Sequence, residues 1–247
     1  MNNREELMVQ EQFDDLLSRS RILVIAPHPD DETYGCGGLI ARARAHGGQV
    51  YVMIVSAGDL QHYDEQLSTV TASRRQKELE ESMRVLGVED YCILFTDRHS
   101  HMRMDSVPRR DLLEEIERAS PLAMDRLHPD MVILPAISYN QDHEAVFKAG
   151  FTACRPGMPT VRPVVKVVLS CDAPQLGWNW EPFHPNVYVD ISDYLEIKLK
   201  AHACHVSQAR PAPHHGSLEN LERLARLRGA EISVEAAEAF YCHRWIV

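Results

Sequence analysis

The stretch Ile22-Leu23-Val24-Ile25-Ala26-Pro27-His28-Pro29-Asp30-Asp31-Glu32, followed by Gly35-Cys36-Gly37-Gly38, decides how the chain folds. Ile22 to Ile25 are apolar without alternation, the pattern of a strand covered on both faces in a parallel sheet. The residues after them are of the types that bind metals and move protons. The prolines on either side of His28 restrict the backbone there and help to fix the loop. The small residues beyond allow a helix to start close against its neighbours. A strand, a polar loop and a tightly packed helix in this order open a strand–helix–strand unit.

Outward from this stretch the same alternation continues. Gly47-Gly48 stops a helix from about Gly37 to His46, and Val50 to Val55 is a second continuous apolar run. A polar exit loop follows, from Ser56 to Glu65. A long helix is predicted from about Thr69 to Leu86, ended by Gly87, then a strand at Tyr91 to Phe95. Another helix is predicted from about Arg109 to Leu127, ended by Pro129, then a strand at Met131 to Leu134 and a helix from about Asp142 to Cys154. Beyond these the signals are less regular. Strands are expected at 163–169 and 186–190, and a helix capped by Ser192 and reaching about His205. The breaker-rich loop Arg210 to Ser217 precedes a helix over 217–228 and a last strand at 239–243. This alternation predicts an α/β fold with a Rossmann-like, mostly parallel sheet and helices on both faces. It reads as a single domain over 1–247, with 1–20 as an N-terminal arm or helix.

The composition sets outer bounds. A chain of 247 residues is long enough for one sizeable core. Its formal charge of -10 argues against a nucleic-acid surface as partner. No apolar run approaches the ~20 residues that span a bilayer, and residues 1–20 lack the apolar segment of a signal peptide. The expectation is a cytoplasmic protein that binds neither nucleic acid nor membrane. The six cysteines are spread without a Cys-x-x-Cys pair, so they are expected to be free thiols.

In parallel sheets ligands bind outside the carboxyl ends of the strands. The loops after the first and fourth strands both carry His and Asp, so they converge if those strands are neighbours. His28 and Asp31 offer an imidazole nitrogen and a carboxylate oxygen, which suit zinc, and His143 is the best candidate for a third ligand. Three protein ligands leave one position open for water. Asp30 is then a spare carboxylate placed to act as general base, and Glu32 braces the loop or bonds to the helix start. A plainer alternative for His28 to Asp31 is a surface turn whose aspartates cap the next helix. Asp97, just past a strand end, is a candidate for sugar hydroxyls. Arg74 and Arg75 either reach a polar substrate or pair with Glu78. His62, Tyr63, Arg98, His99 and His101 lie in loops able to line a pocket. Trp178 and Trp180 are suited to stacking on a sugar face or to packing.

Ala26-Pro27-His28-Pro29-Asp30-Asp31-Glu32 resembles the signature of the LmbE-like deacetylases, also called the PIG-L family. Several later pieces resemble a bacterial branch of it: Thr152 to Pro156, Phe183 to Ile191, Lys198 to Ala201 and Ala237 to Phe240. The resemblance spans roughly residues 20–247. It implies the LmbE-like fold, Zn2+ as cofactor, His28 and Asp31 as ligands and Asp30 as base. The second family motif ends in a ligand His, which corresponds to His143. Asn140 stands where many members carry a His that orients the base or stabilises the intermediate, and Asn is common there in the bacterial branch. That branch often carries Pro-His-Pro-Arg-Ser near its C-terminus. Here Pro213-His214-His215-Gly216-Ser217 keeps the His and departs from the Pro-Arg. His214 is therefore the candidate to donate to the oxyanion or to protonate the leaving amine, the plainer alternative being a solvent-exposed loop histidine.

The resemblance implies removal of an acetyl group from an N-acetylglucosamine-type substrate, a small sugar or glycoconjugate, by a homo-oligomer. Asn140, Asp97 and Arg74 are candidate substrate contacts. The alternatives are an amidase acting on a larger sugar or thiol conjugate, and a non-catalytic sugar- or metal-binding protein.

Overall fold

The computed structural model describes residues 3–61, 68–97, 99–158, 160, 162–179 and 181–246. In chain order the elements are α1 (Asn3–Arg19), β1 (Arg21–Ala26), α2 (Asp31–Ala45), β2 (Gln49–Ser56), β3 (Leu60–Gln61), β4 (Thr69–Val70), α3 (Ala72–Leu86), β5 (Asp90–Phe95), α4 (Arg109–Glu114), α5 (Met124–Leu127), β6 (Met131–Pro135), α6 (Gln141–Ala153), β7 (Val167–Cys171), β8 (Val187–Asp190), α7 (Leu195–Ala203), α8 (Leu218–Ala230) and β9 (Ala237–Trp245).

The main sheet has the order β5-β2-β1-β6-β7-β9-β8. Pairs from β5 through β7 are parallel, and β9 runs antiparallel between β7 and β8. The sheet is thus mixed and mostly parallel, with helices on both faces. From β1 the chain builds outward to β2 and β5, then returns to the other side of β1 for β6 and β7. The switch in winding direction falls between β1 and β6, where an open α/β sheet leaves a crevice at its carboxyl edge.

From Ile22 onward β1 is apolar because both of its faces are covered. Ile22, Val24 and Ala26 point into one buried cluster with Leu17, Leu39, Ile54, Leu79 and Phe240. Leu23 and Ile25 point into the other with Met53, Leu112, Ile116, Val132 and Val146. Full burial of each such side chain stabilises by roughly 1.5–3 kcal/mol.

Several elements depart from the sequence expectation. The helix expected from Gly37 starts at Asp31 and is broken at Cys36, which has φ -149 and ψ 21. Gly38 is needed after the break, because a Cβ there would lie 2.7 Å from side-chain carbons of Ile191. The expected helix 109–127 divides into α4, a π turn at Glu115–Ala119 and α5. Pro121 is the reason, since it disfavours helical backbone at Ser120, whose ψ is 159. The strand expected from 163 begins at Val167. Ser192 does not cap α7; its hydroxyl donates to Asp190 Oδ1 at 2.6 Å within a 3-10 turn. The exit loop of β2 contains the short β3–β4 ladder. All six cysteines are free. Among the described residues no helix is long and apolar enough to cross a membrane.

Candidate metal centre

The loop after β1 and the start of α6 meet at the switch point. His28 is 6% exposed, and its backbone N–H donates to Asp31 Oδ2 at 3.0 Å. The same carboxylate oxygen lies 3.4 Å from His28 Nδ1 and 3.3 Å from His143 Nε2. Ligand atoms of His28, Asp31 and His143 all lie within 4.8 Å of one another.

The far side of the His28 ring is also held. Its Nε2 lies 2.9 Å from Asp142 Oδ2, and Asp142 is wholly buried. A carboxylate can only accept, so Nε2 carries the proton and Nδ1 faces the gap. The other Asp142 oxygen accepts from the Met104 N–H at 3.0 Å. Such an outer carboxylate sets the tautomer and direction of a ligating imidazole.

Burial opposes a charge on His28, but Asp142 and Asp31 outweigh it and raise its pKa to about 9. Burial likewise works against the Asp31 carboxylate, yet His143 and His28 hold its pKa well below the usual range. Two imidazole nitrogens and one carboxylate oxygen, converging with one ring fixed from behind, fit a tetrahedral metal with an open fourth position.

Asp30 precedes the first turn of α2 with φ 111 and ψ -32, a conformation rarely adopted by residues with a Cβ. Burial and the neighbouring Asp31 push its pKa up to about 7, and a cation in the adjacent gap would draw it down. Its N–H donates to Glu32 Oε2 at 2.9 Å. Glu32 is 1% exposed, and its other oxygen lies 2.9 Å from His205 Nε2 and accepts from Ser82 Oγ at 3.4 Å. Glu32 therefore braces the loop from behind.

The remaining sequence candidates lie at different places. Asn140 caps α6, with Oδ1 accepting from the Asp142 N–H at 2.9 Å. Asp97 is exposed and accepts from the N–H groups of His99 and Ser100, shaping the turn that leads to His101. Arg74 pairs with Glu78 at 3.0 Å and is more than half exposed. Its neighbour Arg75 is 3% exposed and reaches His101 Nε2 at 2.8 Å and the Gly58 carbonyl at 3.3 Å. Its Nε is buried without a partner. His101 Nδ1 contacts Ser56 Oγ at 3.0 Å, and its ring stands edge-on to His28 at 5.5 Å. Burial, then His28 and Arg75, lower its pKa to about 3, so it is neutral. Gly58 makes room for it, since a Cβ there would lie 2.6 Å from His101 Cβ.

His214 is exposed, stacks on His215 at 4.3 Å, and accepts from the Gly216 N–H through Nδ1 at 3.0 Å. Gly216 itself abuts the Tyr34 hydroxyl on the first turn of α2. The loop that departs from the bacterial pattern thus touches the helix start that carries Asp31. Trp178 is 78% exposed and meets Tyr139 edge-on at 5.3 Å. His62, Tyr63, Arg98 and Trp180 lie outside the described residues.

The structure thus gathers His28, Asp30, Asp31 and His143, while Arg74 and Asp97 make their polar contacts elsewhere. Sequence reasoning missed the orienting role of Asp142, although a carboxylate beside a candidate ligand was a usable signal. Nor does any local motif mark His202 and His205, which bond to Thr33 Oγ1 at 2.8 Å and to Glu32 Oε1 at 2.9 Å behind the loop.

The diacetylchitobiose deacetylase of Thermococcus kodakarensis is 29% identical over 209 residues, covering 82% of this chain and 74% of that protein. Among solved structures, the N,N'-diacetylchitobiose deacetylase of Pyrococcus horikoshii superposes with a TM-score of 0.67 at 25% identity, covering 94% of this chain and 92% of that one. The 4-carboxy-2-hydroxymuconate hydratase GalB of Pseudomonas putida gives a TM-score of 0.66 at 18% identity, covering 92% and 98%, a likeness of fold alone. A family profile described as GlcNAc-PI de-N-acetylase matches residues 23–154, more than half of the chain, which therefore belongs to the PIG-L (LmbE-like) family of deacetylases.

Proposed function

We propose that the chain is, as one domain, a zinc-dependent hydrolase that removes the acetyl group of an N-acetylated amino-sugar and releases acetate. The observation that supports this best is the convergence of His28, Asp31 and His143 ligand atoms within 4.8 Å beside the half-buried carboxylate of Asp30. Fold alone would not choose the chemistry, since one fold hosts many reactions.

His28, Asp31 and His143 hold the metal, which when bound supplies Lewis acidity and an acidified water. Asp142 keeps His28 Nδ1 directed at the gap. Asp30 accepts the proton of the attacking water as it adds to the acetyl carbonyl carbon. With Nδ1 of His214 accepting from the Gly216 N–H, its Nε2–H is the donor available to the oxyanion, and the proton taken up by Asp30 is the one available to the leaving amine. The C–N bond then breaks, giving acetate and the free amino-sugar.

One feature favours a larger conjugate over a lone monosaccharide. A groove of about 320 Å³ beside the β6 exit is lined by Ile137, Phe147, Phe183 and Tyr241 together with Asn179 and His184. An aglycone or second sugar has a surface there on which to lie.

The test is acetate release by the zinc-loaded protein from N-acetylglucosamine, N,N'-diacetylchitobiose and aryl N-acetylglucosaminides. Asp30→Asn should keep its zinc and lose roughly 10²–10⁴-fold in turnover, the usual worth of a general base. Absence of acetate from every compound, or full turnover by the Asn variant, would overturn the reading.

A further inference from the structure

Both polar groups of the Asp30 backbone are tied, through Glu32 and Thr33, to histidines at the C-terminal end of α7 some 170 residues away in sequence, the carbonyl also accepting from the Thr33 and Tyr34 N–H groups at 3.0 Å each. On the amide side, Asp30 N–H donates to Glu32 Oε2 at 2.9 Å, and Glu32 Oε1 accepts from His205 Nε2 at 2.9 Å. On the carbonyl side, Thr33 Oγ1 donates to Asp30 O at 2.7 Å. A hydroxyl has one proton, so His202 Nδ1, 2.8 Å from the same oxygen, must be the donor to it. The clamp is dry: Glu32, Thr33, His202 and His205 are 1%, 0%, 5% and 1% exposed. It is anchored in turn, because Glu78 on α3 accepts from the Ser207 N–H at 3.0 Å and from its hydroxyl at 2.5 Å.

What is clamped is a strained residue. A φ of 111 at Asp30 persists only when the surroundings over-determine it. The backbone conformation decides the direction in which the side chain leaves the chain. We propose that His202 and His205 are positioning residues for the reaction: through Thr33 and Glu32 they hold the Asp30 backbone at its positive φ and so aim its carboxylate. This rests on Asp30 being the base.

The experiment uses the zinc-loaded full chain and two readouts. The first is amide hydrogen exchange at Asp30, which needs no substrate. In His205→Leu, exchange there should rise about tenfold or more while the later turns of α2 keep their protection, because local opening is reported residue by residue. The second is turnover on the best substrate of the acetate assay. His205→Leu should lose roughly 10²-fold in kcat, the scale of a misplacement of about 1 Å, with KM and zinc content little changed. His205→Gln keeps a donor near the Nε2 position and should recover most of the loss.

Thr33→Val and Thr33→Ser give a second pair that preserves packing, the former expected to lose turnover and the latter to retain it. They decide the matter if His205→Leu does not fold. Unchanged Asp30 exchange in the Leu or Val variant, or raised exchange with kcat within about twofold of wild type, would overturn the clamp. Asp30→Asn, run alongside, separates the two failures. If it stays active, the base assignment falls and this inference with it. If it is dead while the clamp variants turn over normally, the clamp alone falls.

Discussion

Asp142 offers its two oxygens to two donors, the Met104 N–H and the His28 Nε2–H. An asparagine has one oxygen and one NH2, so it can satisfy only one of them. Turned toward Met104, its NH2 would face Nε2 and favour the His28 tautomer with the proton on Nδ1, the nitrogen that faces the metal gap. Turned the other way, it would leave a donor against the Met104 N–H. Asp142→Asn should therefore weaken zinc binding by about 10–100-fold with little loss of packing. Competition against a chromophoric chelator measures this, and an unchanged affinity would remove Asp142 from the orienting role. At this scale the ligand candidates were legible because residue type and motif spacing carry the chemistry locally. Orienting partners were less so. Arg75 differs from Arg74 only in which side of α3 it occupies, and His101 is defined by contacts with Ser56 and Arg75 that are remote in sequence.

The break in α2 is mended by a buried ion pair. At Cys36 the helix frees the Tyr34 carbonyl on one side and the N–H groups of Gly38 and Leu39 on the other. Lys198 Nζ donates to the carbonyl at 2.8 Å, and Glu238 accepts from both amides at 2.8 and 2.7 Å. Lys198 and Glu238 also bond each other, each with a side chain 3% exposed. Glu238→Ala would strand the lysine charge and two amides together. A loss of about 3–5 kcal/mol is expected for a broken buried pair, read as a lowered urea midpoint, and a loss under about 1 kcal/mol would show the break is held by something else. The break also explains why the sequence points to Gly37 as the start of α2. Local propensity reads Gly35 to Gly38 as a helix boundary. The partners that carry the helix through it are 160 to 200 residues downstream. The division of the 109–127 helix is a different failure, since Pro121 was present in the sequence to predict it.

Across the whole molecule, the site exists because β1 and β6 are neighbours, and strand order is the part of the fold that periodicity does not encode. The apolar runs announced buried parallel strands, yet convergence of their exit loops depended on the chain reversing direction at β1. The same topology would make a metal held by His28, Asp31 and His143 a tie between distant segments. His28 lies before α2, Asp31 is its first residue and His143 lies in α6, so an ion bound to all three would close a loop of more than a hundred residues around the switch point. An ion that binds the folded chain and not the unfolded one adds RT ln(1 + [L]/Kd), about 2.7 kcal/mol at a hundredfold excess over Kd. For a chain of this size each kcal/mol moves the melting temperature by roughly 2–4 °C. Chelation should therefore lower Tm by about 5–10 °C, and added zinc should restore it. His143→Ala, with one of the three donors gone, should melt near the chelated temperature and respond weakly to zinc or chelator. If chelation strips the wild-type protein of its ion and leaves Tm unmoved, the ion does not join these segments, and the convergence of the two loops rests on the β1–β6 pairing with the Asp142–His28 and Asp31–His143 contacts.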